Sequence, residues 1–267
     1  MKTVCIIQAR MGSTRFPGKN LAPILNLESP NPVCALEMIH NACMKTKLID
    51  EVIIACPVKD YVAFRAYAQE QEEYTGKKFF VFGGPEDDVY TRTLLAAKEH
   101  RADVIVDITG DCPLISVYEL KRMLEAFWPP AIMPFAVSMH YMSNVFPDRK
   151  VPDGMDIQIY SRSIMEYFAD RIQQKGHSGW NIYQLAEHTH ILPYPRIMAR
   201  QERYGGYRIT LDTREDLEVI RKVAPYYMDN GGLDTRKKFQ KFLFHLEEQP
   251  EEFWDNSKIN AKIAGEG

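Results

Sequence analysis

Short apolar runs recur at regular intervals through the first half of the chain: Val4–Ile7, Glu51–Cys56, Lys78–Phe82 and Asp103–Val106. Each is short enough and apolar enough to be a strand buried on both faces. The segments between them have helical spacing. Over 32–47, Leu36, Ile39, Cys43 and Met44 share a face; Asp60 can cap a helix reaching about Glu73; 87–100 is helical; Ser116 caps a helix to about Phe127. Strand and helix alternating over short connections dictate an α/β fold with a mostly parallel twisted sheet and helices on both faces. Such sheets take ligands beyond the carboxyl ends of their strands.

The alternation breaks at Trp128-Pro129-Pro130 and stays irregular to about Arg200. Within that stretch, Val151–Gly154 reads as a turn, Met155–Tyr160 as a strand, and Ser161–Gln173 and Trp180–His190 as helices. Tyr207–Leu211 reads as the last sheet strand, followed by helices over Arg214–Tyr226 and Thr235–Leu246, and the tail from Ser257 is loose. The expectation is a single domain over 1–267 with an inserted region at about 128–205 that serves as a substrate lid or dimer contact.

The 267 residues are 45% apolar and 26% charged, which suits a globular protein with a substantial core. A net charge of −3 offers no bulk attraction to nucleic acid or to an anionic membrane. The five cysteines have neither metal spacing nor a disulfide pattern, so they read as reduced thiols of a cytoplasmic protein. No stretch reads as a targeting or membrane-spanning segment.

The most telling chemistry follows the first strand, in Gln8-Ala9-Arg10-Met11-Gly12-Ser13-Thr14-Arg15-Phe16-Pro17-Gly18-Lys19. Gly12 and Gly18 permit backbone angles that other residues resist, and Arg10, Arg15 and Lys19 are spread along the loop with no acid between them. A loop of this kind is built to hold a polyanion, a nucleoside triphosphate above all. It is neither a Walker A loop nor a dinucleotide fingerprint: its glycines are spaced wrongly for both, and Asn20 follows the lysine where a hydroxyl should bind magnesium.

Two carboxylates sit at equivalent strand ends. Asp111 follows the fourth apolar run and is spared from capping the next helix by Ser116, so it reads as a magnesium ligand. Asp212 follows 207–211 and reads equally as a second ligand or as the cap of the helix that begins near Arg214. Asp216 and Glu218 read as solvated. Asp153 and Asp156 form an acidic turn or meet sugar hydroxyls. Spacing alone gives His188 little weight.

Taken together, these stretches resemble the cytidylyltransferases that make CMP-sugars, most of all the spore-coat-polysaccharide type related to the CMP-Kdo and CMP-sialic acid synthetases. The resemblance rests on Ile6–Lys19, Asp88–Arg92, Ile108–Leu114, Tyr141–Asn144, Pro152–Asp156, Glu187–Thr189 and Arg208–Leu217. It implies the nucleotide-diphospho-sugar transferase fold, usually dimeric through the inserted region. It implies that Ala9, Arg10, Gly12, Ser13, Arg15, Lys19 and Gly110 bind the nucleotide, and that Asp111 and Asp212 hold Mg2+. Arg15, Lys19, Asp111 and Asp212 are the catalytic set it implies, with Tyr141, Ser143, Asn144, Asp153, Asp156 and His188 facing the acceptor. The activity implied is transfer of CMP from CTP to a sugar or sugar-acid hydroxyl, by a homodimer. The alternatives are transfer to a sugar 1-phosphate or other phosphate acceptor, which needs further cations such as Arg92, Arg196 or Arg200, and a non-catalytic nucleotide-binding subunit. Asp107 and Gln158 depart from the family pattern, which usually has arginine and glutamate there, and the usual Gly-Lys-Pro is missing from 21–36.

Overall fold

The computed structural model describes residues 1–127, 141–145, 149, 151–172, 176–189 and 204–249, with side chains in the 176–189 segment described as far as 185. The expected alternation is present: β1 Thr3–Gln8, α1 Ala35–Lys45, β2 Glu51–Pro57, α2 Tyr61–Thr75, β3 Phe80–Gly84, α3 Val89–Glu99, β4 Val104–Thr109 and α4 Val117–Phe127. Further on come β5 Tyr141–Ser143, β6 Gln158–Ser161, α5 Arg162–Phe168, α6 Ser178–Thr189, α7 Arg214–Asp229 and α8 Arg236–Glu247. One six-stranded sheet runs β3-β2-β1-β4-β6-β5. Its first four strands are parallel, β6 is antiparallel to β4, and β5 is antiparallel to β6.

Period-two alternation sorts β1 between two cores. Cys5 and Ile7 pack under α1, α2 and α4, whereas Val4 and Ile6 pack under α3, α5 and α6. A third cluster joins α7 and α8 to Phe16 of the opening loop and to Ile209 and Leu211. All five cysteines are buried and unpaired. Among the described residues no helix is long and apolar enough to cross a membrane.

Several boundaries differ from the sequence reading. Tyr207–Leu211 is not a sheet strand: Arg208 makes a single bridge to Asp153, and the segment spends its hydrogen bonds on two loops. The last strand of the sheet is instead β6, and the irregular region itself supplies β5 and β6. Asp60 does not cap α2; its Oδ2 accepts from the Met11 amide at 3.0 Å and so tethers the opening loop. Ser116 does cap α4, accepting from the Glu119 amide at 3.3 Å. The helix expected to reach Gln173 ends at Phe168, followed by a short 3-10 turn. The Pro129-Pro130 break and the tail from Ser257 lie outside the described residues.

Candidate active site

The opening loop folds back on itself. The Gly18 amide donates to the Met11 carbonyl at 2.9 Å, and Gly18 takes φ 71°, a region glycine enters without the Cβ clash. Gly12 does not use that freedom. Phe16 is buried in the α7–α8 cluster and fixes the loop between Arg15 and Lys19. The chain then enters a 3-10 turn at Lys19–Leu21, which buries Lys19.

Lys19 is where distant segments meet. Its Nζ donates to Asp111 Oδ2 at 2.7 Å and to Asp212 Oδ1 at 2.8 Å. Backbone bonds bring the two carboxylates together: the Leu211 amide donates to the Asp111 carbonyl at 2.8 Å, and Thr210 Oγ1 donates to the same oxygen at 3.1 Å. Gly154 makes the approach possible from the other side. Its φ is +102°, and a Cβ there would lie 2.6 Å from the Ile209 carbonyl carbon and the Thr210 nitrogen. Arg15 reaches Asp212 Oδ1 at 3.0 Å and Arg208 reaches Asp212 Oδ2 at 2.6 Å. Arg208 also pairs with Asp216, whose other oxygen accepts from the Asp212 and Thr213 amides at 2.8 Å. Thr213, not Asp212, is the N-cap of α7, in a reciprocal box with Asp216. That leaves the Asp212 side chain directed at the lysine, and it removes Asp216 from the solvated set, since it is buried.

Arg15, Lys19, Asp111, Thr210 and Asp212 line a cavity of about 930 Å3 that also takes in Ala9, Arg10, Ser13, Arg92, Asp107, Arg149, Asp153, Asp156, Gln158, His177 and Trp180. It opens where the strands end, as an open α/β sheet requires. Residues 4–224 match the sequence profile of the cytidylyltransferases. The chain belongs to the cytidylyltransferase family.

A 3-deoxy-manno-octulosonate cytidylyltransferase of Trichlorobacter lovleyi is 29% identical, over 90% of this chain and 97% of that one. The spore coat polysaccharide biosynthesis protein SpsF of Bacillus subtilis is 27% identical, over 81% and 83%. A solved cytidylyltransferase structure from Leptospira borgpetersenii superposes with TM-score 0.74 at 26% identity, over 96% of this chain and 98% of that one. The protein is a CTP-dependent nucleotidyltransferase with the nucleotide-diphospho-sugar transferase fold.

The cytidylyltransferase holds its site charges in a closed network. Burial disfavours the Lys19 ammonium, but Asp111 and Asp212 outweigh it and raise the lysine pKa above its ordinary value. Burial likewise disfavours the Asp212 carboxylate, yet Lys19, Arg15 and Arg208 together hold its pKa below the ordinary range. Two hard carboxylates from separate segments converging on one cation are a donor set that suits magnesium, which takes one or two carboxylates plus phosphate oxygens. Among the described residues no group of three or more His, Cys, Asp or Glu side chains could hold a metal, so a cation here would need water or substrate oxygens to complete its shell.

Of the expected nucleotide residues, Ala9, Arg10, Ser13, Arg15 and Lys19 line the cavity and Gly12 does not. Gly110 lies behind it: a Cβ there would meet Asn20 Nδ2 at 2.5 Å and the Gln8 carbonyl at 3.1 Å. Of the acceptor set, Asp153 and Asp156 reach the cavity and are shared by Arg149. Tyr141, Ser143 and Asn144 do not line it. Tyr141 Oη donates to Gln158 Oε1 at 3.0 Å, and the Asn144 amide bridges the Met155 carbonyl and the Ile157 amide. The His188 side chain lies outside the described residues, as do Arg196 and Arg200. Arg92 is at the cavity, but its guanidinium is engaged by Gln8 and by the carbonyls of Pro85 and Glu86.

Sequence reasoning missed Arg208 and Arg149. The signal for Arg208 was there: alternation puts Arg208, Thr210 and Asp212 on one side of an extended segment. Arg149 had none.

The sheet face of the cavity has a different character. Asp107 is buried, with Oδ2 accepting from Tyr160 Oη at 2.7 Å and Oδ1 accepting no hydrogen bond. Burial raises its pKa from 3.8 to about 6, opposed by Tyr160, His177, Arg92 and Gln8. The Gln8 side chain lies near enough to favour the ionised form, and its amide nitrogen gives one of its two hydrogens to Thr93 at 2.8 Å.

Proposed function

We propose that this cytidylyltransferase transfers CMP from CTP to a hydroxyl of a sugar acid and releases pyrophosphate. The observation that carries the reading is the convergence of Asp111 and Asp212 on Lys19 in a cavity edged by Arg10 and Arg15. The sugar-acid acceptor is suggested by the octulosonate relative. The acceptor hydroxyl loses its proton to solvent as its oxygen attacks the α-phosphorus in line; a new P–O bond forms, and the bond from the α-phosphorus to the oxygen bridging to the β-phosphate breaks, releasing pyrophosphate. Arg10, Arg15 and Lys19 neutralise charge on the phosphates, and binding orients the two reactants. Asp111 and Asp212 would hold Mg2+, which when bound supplies charge neutralisation and lowers the pKa of a coordinated hydroxyl. Arg149 is the cavity cation on the acceptor side. A cytoplasmic homodimer joined through 128–205 completes the proposal, and sedimentation would check the dimer.

The test is pyrophosphate release with Mg2+, crossing the four ribonucleoside triphosphates with 3-deoxy-manno-octulosonate, other sugar acids and sugar 1-phosphates. Release with CTP and a sugar acid is the expected result. Release only with sugar phosphates would favour the phosphate-acceptor alternative. Silence with CTP and every acceptor would overturn the reading.

A further inference from the structure

Five aspartates line the cavity: Asp107, Asp111, Asp153, Asp156 and Asp212. Four of them accept a close hydrogen bond. Asp111 and Asp212 accept from Lys19 at 2.7 and 2.8 Å, Asp107 accepts from Tyr160 at 2.7 Å, and Asp156 accepts from both terminal nitrogens of Arg149. Asp153 differs. Its nearest cations are Arg149 Nη1, 3.3 Å from Oδ1, and Arg208 Nε, 3.8 Å from Oδ2. Both guanidinium groups give their hydrogen bonds to other carboxylates, and among the described residues none ends on the Asp153 side chain. That side chain is 31% exposed, so it is open to whatever fills the cavity.

Its position is fixed all the same. The Asp153 amide donates to the Tyr207 carbonyl at 2.8 Å, and the Ile209 amide donates to the Asp153 carbonyl at 2.7 Å. Gly154 lets the turn press against Ile209 and Thr210. These bonds join the turn to the segment that ends in Asp212. The two side chains also meet on one guanidinium: Arg208 Nη2 donates to Asp212 Oδ2 at 2.6 Å, while its Nε faces Asp153 Oδ2. Asp153 therefore stands beside the Lys19–Asp111–Asp212 group, held by its backbone, with a carboxylate that accepts nothing.

We propose that Asp153 is a further catalytic residue, the general base for the acceptor hydroxyl. This rests on the cytidylyl-transfer reading above. The hydroxyl O–H bond breaks as the oxygen forms its bond to the α-phosphorus. The proton passes to a carboxylate oxygen of Asp153 and from there to solvent, while pyrophosphate leaves. A base needs lone pairs within reach of the proton it takes. Lys19 already holds Asp111 and Asp212, and Arg149 takes both oxygens of Asp156. Burial and the neighbouring Asp156 raise the Asp153 pKa above its ordinary value, against the pull of Arg149 and Arg208, so it binds a proton more readily than a solvated aspartate.

The experiment measures pyrophosphate release by the full chain with CTP and Mg2+, using 3-deoxy-manno-octulosonate and other sugar acids as acceptors. It compares wild type, Asp153→Asn and Asp153→Glu, with thermal unfolding to verify that the variants are folded. Asp153→Asn keeps the shape and removes the base. Its kcat is expected to fall by about a hundredfold or more, with the KM values for CTP and acceptor little changed, and Asp153→Glu to recover part of that loss. The pH profile separates a base from a support. The charged and titratable groups facing Asp153 are Arg149, Arg208, Asp156, Asp111 and the Cys112 thiol. Wild-type kcat should fall as pH drops through the raised Asp153 pKa, and Asp153→Asn should lack that limb. A variant with near-normal kcat, a loss confined to the acceptor KM, or an acid limb unchanged in Asp153→Asn would overturn the base and leave cytidylyl transfer standing. Should Asp153→Asn fail to fold, Asp153→Glu decides: an acid limb displaced from that of wild type supports the base, and a coincident one overturns it. If wild type releases no pyrophosphate with any sugar acid, the transfer reading fails and the base with it.

Discussion

The two ends of the cavity treat buried charge in opposite ways. At the loop end, Lys19, Arg15 and Arg208 share Asp111, Asp212 and Asp216, and each of these carboxylates has a cationic partner. At the sheet end, Asp107 has one hydrogen bond and no ion pair among the described residues. A closed network holds its geometry before substrate arrives, which is what positioning of a triphosphate requires. An incompletely satisfied carboxylate instead sacrifices stability. The contrast predicts that mutations at the loop end lose rate or stability, whereas removing the sheet-end charge gains stability.

The largest effect is expected for Asp111→Asn. Turnover with Mg2+ should fall by about a thousandfold or more while calorimetry still detects CTP. Near-normal turnover would remove Asp111 from the proposed metal pair. Lys19→Ala comes next, because it leaves two partly buried carboxylates facing each other, at a cost on the order of 3 kcal/mol in chemical denaturation. Asp212, its pKa depressed in the folded protein, adds stability above its unfolded value that is lost as pH falls through the folded one. Without Lys19 that acid-side loss should shrink.

Asp107→Asn tests the other end with the opposite sign. A folded pKa raised to about 6 means that the native state binds this proton more tightly than the unfolded chain. Asp107 therefore opposes folding above that pH, by up to about 3 kcal/mol, and not below about pH 4. The variant should melt higher than wild type at pH 8, and the two should converge at pH 4. Melting of the variant below wild type at pH 8 would mean that Asp107 is satisfied after all.

Gly154→Ala should cost roughly 1–3 kcal/mol, from a positive φ and from the close approach to Ile209 and Thr210. It should also reduce activity, by shifting the segment that carries Asp212. The smallest effect is expected for Tyr141→Phe, about 1 kcal/mol from the lost bond to Gln158. A rise in acceptor KM beyond tenfold would return Tyr141 to the acceptor site.

How much was legible differs between the same two regions. The opening loop announces itself, because three cations and two glycines after a strand are a local pattern with local consequences. The Asp111 reading followed from Ser116, whose capping role is also local. Asp212 could not be resolved in sequence, because its neighbours Thr213 and Asp216 form a capping box that only geometry distinguishes from a cap at Asp212. Tyr207–Leu211 misled because alternation reports which side chains are buried and not which backbone they pair with. Asp216 was misplaced for a related reason: its buried partner, Arg208, comes from the segment before the helix.

The amino-acid sequence by itself determined the alternating α/β order, the two-faced sheet, the cationic loop and the family. These depend on period, propensity and residue type over short spans. Only the tertiary structure decided that β6 closes the parallel part of the sheet and that Lys19 gathers Asp111 and Asp212. It alone decided that Asp107 is left with an unsatisfied oxygen. Those outcomes depend on distances between residues up to 193 positions apart, and on which hydrogen-bond donors remain once the chain has packed.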